Sequence, residues 1–221
     1  VDFKLDRVVG LCSHPKNKIV LCTTAGGMTH TVSYSTTKKS LTLLTSQSTA
    51  AIPEGEEYSP AQRAVTFSPS GSTIAISKGR SVTVWRSAKA TGLVTLNTIP
   101  CEAQHKSDVR NLLFLPDGKS LVTLDEERCC LWALDSLALR HSFTAAEDAK
   151  DVAAPKFRGV TLDPQESHLF TLVSHAARTG SAGYVTVRKI TDGGLTVVKS
   201  AKVASQPATA LGGVRGGRLS V

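Results

Sequence analysis

Short runs of β-branched and other apolar residues, separated by turns rich in glycine and proline, recur along the chain. One unit opens with Ala-Val-Thr-Phe-Ser-Pro-Ser-Gly at positions 64–71 and closes at Trp85. A second opens with Leu-Leu-Phe-Leu-Pro-Asp-Gly at positions 112–118 and closes at Trp132. The phenylalanines at positions 67 and 114 lie 47 residues apart, and so do the two tryptophans. Two independent landmarks therefore give one repeat length.

Fainter copies flank the clear pair, at positions 8–22 and 157–198, and a further unit starts near position 208. A period in the mid-forties with four β-rich runs is typical of a propeller blade, because one four-stranded sheet cannot bury both faces unless sheets stack around an axis. The sequence predicts an all-β, WD-repeat-type β-propeller in one domain, residues 1–221. We expect it to be truncated on its C-terminal side, with blades at about 1–48, 61–100, 105–144 and 156–203 and a partial fifth at 208–221.

Composition, cysteine content and charge argue against several classes of protein. The chain has 221 residues, of which 41% are hydrophobic and 20% charged, so a sizeable core is expected. No apolar run approaches the roughly 18 residues of a membrane helix, and the first residues do not resemble a signal peptide. The five cysteines are odd in number and form no C-x-x-C pair, which favours a reducing compartment. The formal charge of +8 is scattered and lacks interleaved aromatic residues, so no nucleic-acid partner is predicted.

Sequence templates for catalysis are missing. The chain has no G-x-S-x-G, no H-E-x-x-H and no Walker-type loop. The glycine-rich stretch 212–218 is better interpreted as a turn between two strands than as a phosphate loop. We therefore expect a protein that binds and does not catalyse bond chemistry.

Four residues of the third unit are expected to form a buried hydrogen-bonded chain. A histidine before the first strand, a hydroxyl on the second, an aspartate in the next turn and a tryptophan on the third strand occupy suitable places: His105, Thr123, Asp125 and Trp132. Each buried polar group must find a partner or cost about 1–3 kcal/mol, so this network is predicted to be structural. The preceding unit has no such histidine and should be held by packing alone.

A glycine pair marks the first unit. Gly26 and Gly27 are followed by a hydroxyl-rich segment that ends at Ser35, and a glycine-bearing loop is expected to replace the second tight turn of this unit. Paired glycines allow positive φ angles, which suit either a tight turn or a cation held by main-chain oxygens. Composition alone favours the turn.

The order of motifs resembles a known family. The matching features are a first unit with a glycine-rich insertion, the Phe-Ser-Pro-Ser-Gly and Val-Trp unit, the Leu-Pro-Asp-Gly turn at 115–118, Lys-Phe-Arg-Gly at 156–159, Leu-Phe-Thr-Leu at 169–172, a loop with Arg178, and Gly-Tyr-Val-Thr-Val at 183–187. This order is similar to the cytosolic propeller of the endoplasmic-reticulum guanine-nucleotide exchange factors for the small GTPase that starts COPII coat assembly, the prolactin regulatory element-binding protein family.

The resemblance implies a function and a site. It implies an exchange factor that stabilises the nucleotide-free GTPase, located on the cytosolic face of the endoplasmic reticulum membrane and attached through a C-terminal segment not present in this chain. It implies a potassium ion at the backbone carbonyls of Gly26, Gly27, Thr29 and Thr31. The implied GTPase-contacting loop comprises Gly26, Gly27, Met28, Thr29, His30, Thr31, Val32, Ser33 and Ser35. The alternative from another class is a plain protein-interaction scaffold.

Overall fold

The structure is a computed structural model and is built almost entirely of β-strands. It describes residues 7–48, 64–88, 92–150, 152–163, 165, 167–175, 183–204, 214–215 and 218–219. Blade 1 consists of β1 (Val8–Ser13), β2 (Ile19–Thr24), β3 (Met28–Ser35) and β4 (Ser40–Ser48), and blade 2 of β5 (Val65–Phe67), β6 (Thr73–Lys78), β7 (Ser81–Ala88) and β8 (Gly92–Ile99). Blade 3 consists of β9 (Asn111–Phe114), β10 (Ser120–Leu124), β11 (Arg128–Ala133) and β12 (Leu139–Thr144). Blade 4 consists of β13 (Pro155–Leu162), β14 (His168–His175), β15 (Gly183–Thr191) and β16 (Gly194–Ala204).

The blades are antiparallel meanders that follow one another along the chain. Three further elements are a 3-10 turn (Cys101–Ala103), the one-turn helix α1 (Ala145–Asp148) and a hairpin of β17 (Val214–Arg215) and β18 (Arg218–Leu219). The first strands β1, β5, β9 and β13 contact one another in this order and line the axis, while β4, β8, β12 and β16 form the rim. This arrangement confirms the predicted all-β, WD-repeat-type propeller fold.

The meander gives each blade two distinct ends. We call link end the end that carries the connections between blades and the turns from second to third strands. The opposite end, called the distal end, carries the turns from first to second and from third to fourth strands. Residues 49–62 of one long connection, and residues 176–182 with Arg178, lie outside the described residues.

Apolar side chains fill three layers between successive blades. Leu21 of blade 1 packs with Trp85 of blade 2, and Val84 of blade 2 packs with Trp132 of blade 3. The third layer joins blades 3 and 4 through Phe143 and its neighbours. Each fully buried side chain of this size contributes about 1.5–3 kcal/mol, so the stacking of sheet faces is the main source of stability.

A β-bulge recurs at one position in every blade. In the pairing of third with fourth strands, the register shifts just before Val32, Trp85, Trp132 and Arg188. These four residues pair on the second strand with Val20, Ile74, Leu121 and Leu169. A bulge increases the local twist and re-aims a side chain, so its recurrence makes the four positions structurally equivalent. Two residues further along the second strand, the equivalent positions are Cys22, Ile76, Thr123 and Thr171.

The expectation of a glycine-bearing loop over Gly26–Ser35 is wrong. Gly27 donates its N–H to the oxygen of Thr24 at 3.1 Å, which closes a tight turn, and Gly27 has a φ of 86°. Residues Met28–Ser35 form β3, which pairs with β2 on one side and β4 on the other. The physical reason is that sheet pairing satisfies the backbone groups of this β-branched, hydroxyl-rich segment, whereas a loop would leave them to solvent.

Two equivalent glycines at the distal end provide a matched test of this packing. Gly71 and Gly118 close the same turn in blades 2 and 3, with φ angles of 79° and 64°. A Cβ at Gly71 would collide with the imidazole of His14 from blade 1, whereas a Cβ at Gly118 has nothing within 4 Å. The His14 ring lies 5.0 Å from that of Phe67, and its Nδ1 accepts the N–H groups of Lys16 and Asn17, which together oppose its displacement.

We therefore expect Gly71→Ala to destabilise the protein more than Gly118→Ala. Both variants carry the left-handed strain of about 1–2 kcal/mol, and only Gly71→Ala adds the steric conflict between blades. Urea denaturation followed by tryptophan fluorescence measures both free energies of unfolding. Equal losses in the two variants would contradict the proposed contact with His14.

Candidate functional site

The predicted network of blade 3 lies at the link end and its members are in contact. His105 Nε2 lies 2.7 Å from Thr123 Oγ1, and Trp132 Nε1 donates to the same oxygen at 2.9 Å. His105 Nδ1 lies 3.3 Å from Asp125 Oδ2, too far or too bent for a regular hydrogen bond, so this contact is mainly electrostatic. The structure thus brings together all four residues that sequence analysis selected.

Asp125 extends the network into the backbone of the link end. Its Oδ2 accepts the N–H groups of Lys106 and Ser107 at 2.9 and 3.2 Å, and its Oδ1 accepts those of Glu127 and Arg128 at 2.8 and 2.5 Å. Burial alone would raise the pKa of this carboxyl, but the close approach of the His105 ring and the hydrogen bonds from the two latter amides outweigh it and lower the pKa to about 2.

The network is closed to solvent and fixes the shape of this end. The side chains of His105 and Asp125 are 0% exposed, so no substrate can reach them. Asp125 ties the connection that precedes blade 3 to the turn between β10 and β11, two segments that meet at the link end. The His105 ring then joins this corner to the strands below through Thr123. The network therefore holds the link-end surface in place.

Blade 4 has a network of different chemistry at equivalent positions. Arg188, which replaces Trp132, donates to Asp148 Oδ2 at 3.0 Å and to Thr171 Oγ1 at 3.1 Å, and its second terminal nitrogen also bonds Asp148. Thr171, which replaces Thr123, donates to Asp148 at 2.7 Å. The guanidinium lies 3.4 Å from the ring centre of Phe143, on blade 3. An aspartate, a threonine and an arginine thus perform the anchoring that the histidine, threonine and tryptophan perform in blade 3.

Sequence analysis missed this second network. Thr171 lies 48 residues after Thr123, close to the repeat length, but Arg188 lies 56 residues after Trp132 because β14, β15 and the connection between them are all longer than in blade 3. The equivalence is visible only when strands are aligned within each blade. Arginine is also rarely buried, so the sequence alone does not predict that an arginine on this strand faces inward.

Blades 1 and 2 have no complete network at these positions. Ile76 replaces the threonine in blade 2, and Trp85 Nε1 is buried without a partner among the described residues. The prediction that packing alone holds blade 2 is incomplete, because a side chain of blade 1 also forms hydrogen bonds with the backbone of blade 2 at the rim. The amide of Gln47 donates to the oxygen of Leu93 at 2.7 Å and accepts its N–H at 2.8 Å.

The residues proposed to contact a GTPase do not form one exposed patch. Gly26 and Met28 are partly exposed at the link end, whereas Gly27, Thr29, His30 and Val32 are buried. His30 Nδ1 lies 2.8 Å from Ser46 Oγ inside the blade. Thr31, Ser33 and Ser35 are partly exposed, but β3 carries Ser35 to the distal end, about 23 Å from Met28 at 3.3 Å per residue. The expectation that His30 lies at the surface of a contact loop is therefore wrong.

The proposed potassium ligands also do not fit this hairpin. β3 is an inner strand, with Thr23 opposite Thr29 and Leu21 opposite Thr31, so its backbone groups pair with both neighbouring strands. Gly26, Gly27 and Thr29 all have interaction partners already. Main-chain oxygens that take part in strand pairing are not free to form a cation cage, and the function proposed for this chain does not depend on a potassium ion.

Other chemistries find little support in the described part of the chain. That part contains no group of three or more histidine, cysteine, aspartate or glutamate residues that could hold a metal ion. All five cysteines are free, and burial raises the pKa of Cys12, Cys101 and Cys130 to about 12, which makes their thiols weak nucleophiles. Over the same residues, none of the helices is sufficiently long and apolar for a membrane span.

The shared acceptor of the network allows a matched pair of substitutions. We expect Thr123→Val to destabilise the protein by about 2 kcal/mol, because it leaves both the His105 and Trp132 ring nitrogens buried without a partner. Thr23→Val is the control, since Thr23 is fully buried and its hydroxyl has no partner in the part of the chain that the structure describes. That change should be neutral or slightly stabilising. Urea denaturation measures both, and equal losses would contradict the bridging role of Thr123.

The lowered pKa of Asp125 predicts that the stability of the protein depends on pH. Its pKa in the fold lies below the ordinary value of 3.8, so its contribution is present above about pH 4 and disappears as the pH falls towards 2. Between pH 5 and pH 2 the wild type should lose roughly 2 kcal/mol more stability than Asp125→Asn, which has no charge to lose. Urea titrations at a series of pH values measure this difference, and parallel curves would contradict it.

Comparisons with known proteins agree with the fold and leave the function open. No family model and no curated protein matches the chain. Similarity to solved structures is widespread, with 809 matching chains, so the fold by itself does not select a function. The crystal structure of Sqt1 from Chaetomium thermophilum, a WD-repeat protein, matches with a TM-score of 0.65 and 15% identity over 96% of this chain and 52% of that one. The chain thus spans about half the length of Sqt1, and the likeness shows a WD-repeat-type propeller fold.

Proposed function

We propose that this chain is a non-catalytic platform that docks another protein at its link end. The observation that carries the proposal is the anchoring of this surface by buried networks: Asp125 fixes four backbone amides, and Asp148 fixes Arg188 across blades 3 and 4. A propeller presents its loops on a rigid scaffold, which is how binding residues are commonly arranged.

Charged side chains cover this surface. Glu126 accepts from Arg110 at 2.6 Å and lies 3.4 Å from Lys156, while Glu127 accepts from Lys156 at 2.9 Å and lies 3.5 Å from Lys106. Exposed ion pairs of this kind add little stability, with a typical worth of up to about 1 kcal/mol. Their value to a docking surface is in orienting charges and steering a partner of complementary charge.

We propose further that the docked protein is the small GTPase that starts COPII coat assembly. The support is the order of motifs along blades 1 to 4, which resembles the exchange-factor family described above. The location implied by that resemblance is the cytosolic face of the endoplasmic reticulum, with attachment through a segment outside this chain. On this proposal the chain has no nucleic-acid partner.

The mechanism of exchange would be a difference in affinity between states of the GTPase. A platform that binds the nucleotide-free form more tightly than the loaded form lowers the affinity for nucleotide by the same factor, and the bound nucleotide then leaves. Within the glycine-marked hairpin, the link-end turn at Gly26 and the adjacent Met28 are the accessible parts at that end. The contact in this region is therefore a turn and not a ten-residue loop.

Nucleotide exchange on the purified GTPase tests this function. We expect the wild-type protein to accelerate release of a fluorescent guanine nucleotide, and the double variant Gly26→Ala and Gly27→Ala to lose at least roughly tenfold of that acceleration, equivalent to about 1.4 kcal/mol. Gly118→Ala is the control, because it alters a positive-φ turn at the distal end. Circular dichroism establishes that all variants are folded.

The outcomes separate two functions. No acceleration by the wild type would end the exchange-factor proposal. The plain scaffold is favoured by one observation, the ordinary hairpin at Gly26 and Gly27, which offers little surface for remodelling a GTPase. A scaffold would bind the loaded and nucleotide-free GTPase with equal affinity, which calorimetry measures directly.

A further inference from the structure

We propose that the link end holds a site for an acidic peptide segment, in a cavity between blades 3 and 4. The inference deepens the docking function and rests on it, but it does not depend on the identity of the GTPase. The cavity has a volume of about 290 Å³, which suits one or two side chains of a peptide better than a large ligand. Three features select its occupant: an apolar floor, a basic rim and one arginine that has no acidic partner among the described residues.

The floor consists of small apolar residues from the connection between the two blades. Ala145 and Ala146 of α1 form one side, and Ala154 and Pro155 at the start of β13 form the other. Ala154 has a φ of 47°, in the left-handed region that residues other than glycine rarely adopt, and it precedes a proline, which further restricts it. Such strain persists only where surrounding structure imposes it and is concentrated at functional sites.

The rim carries more positive than negative charge. Three basic residues line the cavity, Lys106, Arg128 and Lys156, against one acidic residue, Glu127. The side chain of Lys106 is 76% exposed, so it can turn towards a ligand at little cost. The excess of basic groups favours an anionic occupant and disfavours a basic or purely apolar one.

Arg128 is the group that selects a carboxylate. Its side chain is partly buried, and Nη1 donates to Oε1 of Gln104 at 3.0 Å, which orients the guanidinium. Among the described residues no carboxylate lies within ion-pair distance of this guanidinium, whereas Glu126 and Glu127 are engaged by Arg110, Lys106 and Lys156. A guanidinium presents donors in a planar fork that matches a carboxylate, so an aspartate or glutamate is the natural partner for the remaining donors.

The resulting site accepts an acidic residue next to a small apolar one. The carboxylate would meet the free donors of Arg128 at the rim, with Lys106 as a second cation. The neighbouring alanine, valine or leucine side chain would rest on Ala146 and Pro155. The peptide is held by blades 3 and 4 together, so its binding should report on the intact interface between them.

Fluorescence anisotropy with a labelled synthetic peptide tests the proposal. The probe is a fluorescein-labelled decapeptide that alternates aspartate with alanine and leucine, and the reference peptide has asparagine in place of aspartate. We expect saturable binding of the acidic probe only, weakened about tenfold by Arg128→Gln, which removes the charge and leaves a polar side chain. Ala146→Trp should weaken binding similarly by filling the floor without changing the charge.

A matched control distinguishes a site from general attraction to a basic protein. Arg140 lines a separate cavity between the same two blades at the distal end, so Arg140→Gln makes the same change of charge away from the site. It should leave binding unchanged. Equal weakening by Arg140→Gln, equal binding of the asparagine peptide or no saturable binding would each overturn the inference. Exchange activity is measured on the wild type in parallel. Exchange without saturable binding of the acidic peptide refutes this site alone, and peptide binding without exchange refutes the GTPase proposal alone.

Discussion

The structure depends on one constraint: each four-stranded sheet must cover its faces with a neighbouring blade. Three layers between blades do this with leucine, valine, isoleucine and aromatic side chains. A polar group buried between two blades must find a hydrogen-bond partner within the same layer, because its burial otherwise costs free energy. The residue after the recurring bulge differs between blades: it is valine in blade 1, tryptophan in blades 2 and 3, and arginine in blade 4.

The polar solutions concentrate at the link end and explain why that end is suited to binding. In blade 3 a histidine and an aspartate tie a connection to a turn, and in blade 4 Asp148 of α1 ties the connection to strands β14 and β15 through Thr171 and Arg188. A buried ion pair is not in itself strong evidence of stability, because the cost of desolvating two charges offsets much of their attraction. Its effect here is to specify one arrangement: Arg188 bonds Asp148 and Thr171 and stacks on Phe143 of the adjacent blade.

Features that depend on local spacing could be predicted from the sequence, whereas features that depend on contacts between distant parts of the chain could not. The repeat of 47 residues and the turn glycines are local and regular, so the fold and the network of His105 could be inferred from spacing. The glycine pair at 26 and 27 was ambiguous because the same residues suit a tight turn or a loop, and only the partners of Met28–Ser35 on both sides decide for a strand. Arg188 was missed because a longer connection shifts it out of the period. Arg128 was missed because the lack of an acidic partner is a property of three-dimensional surroundings.

Arg128 takes part both in the hydrogen bonds that stabilise blade 3 and in the proposed binding site. Its backbone N–H bonds to Asp125 at 2.5 Å, and Asp125 also anchors the connection that carries Lys106 and faces His105. The hydroxyl of Thr123 in turn orients His105, so a chain of contacts runs from the buried strands to the rim of the cavity. These contacts fix the backbone of Arg128, and Gln104 accepts a hydrogen bond from Nη1 at 3.0 Å, so the guanidinium has lost part of its freedom before a ligand arrives and the entropic cost of binding falls accordingly. The same residues that stabilise blade 3 therefore also prepare the surface on which a partner would dock.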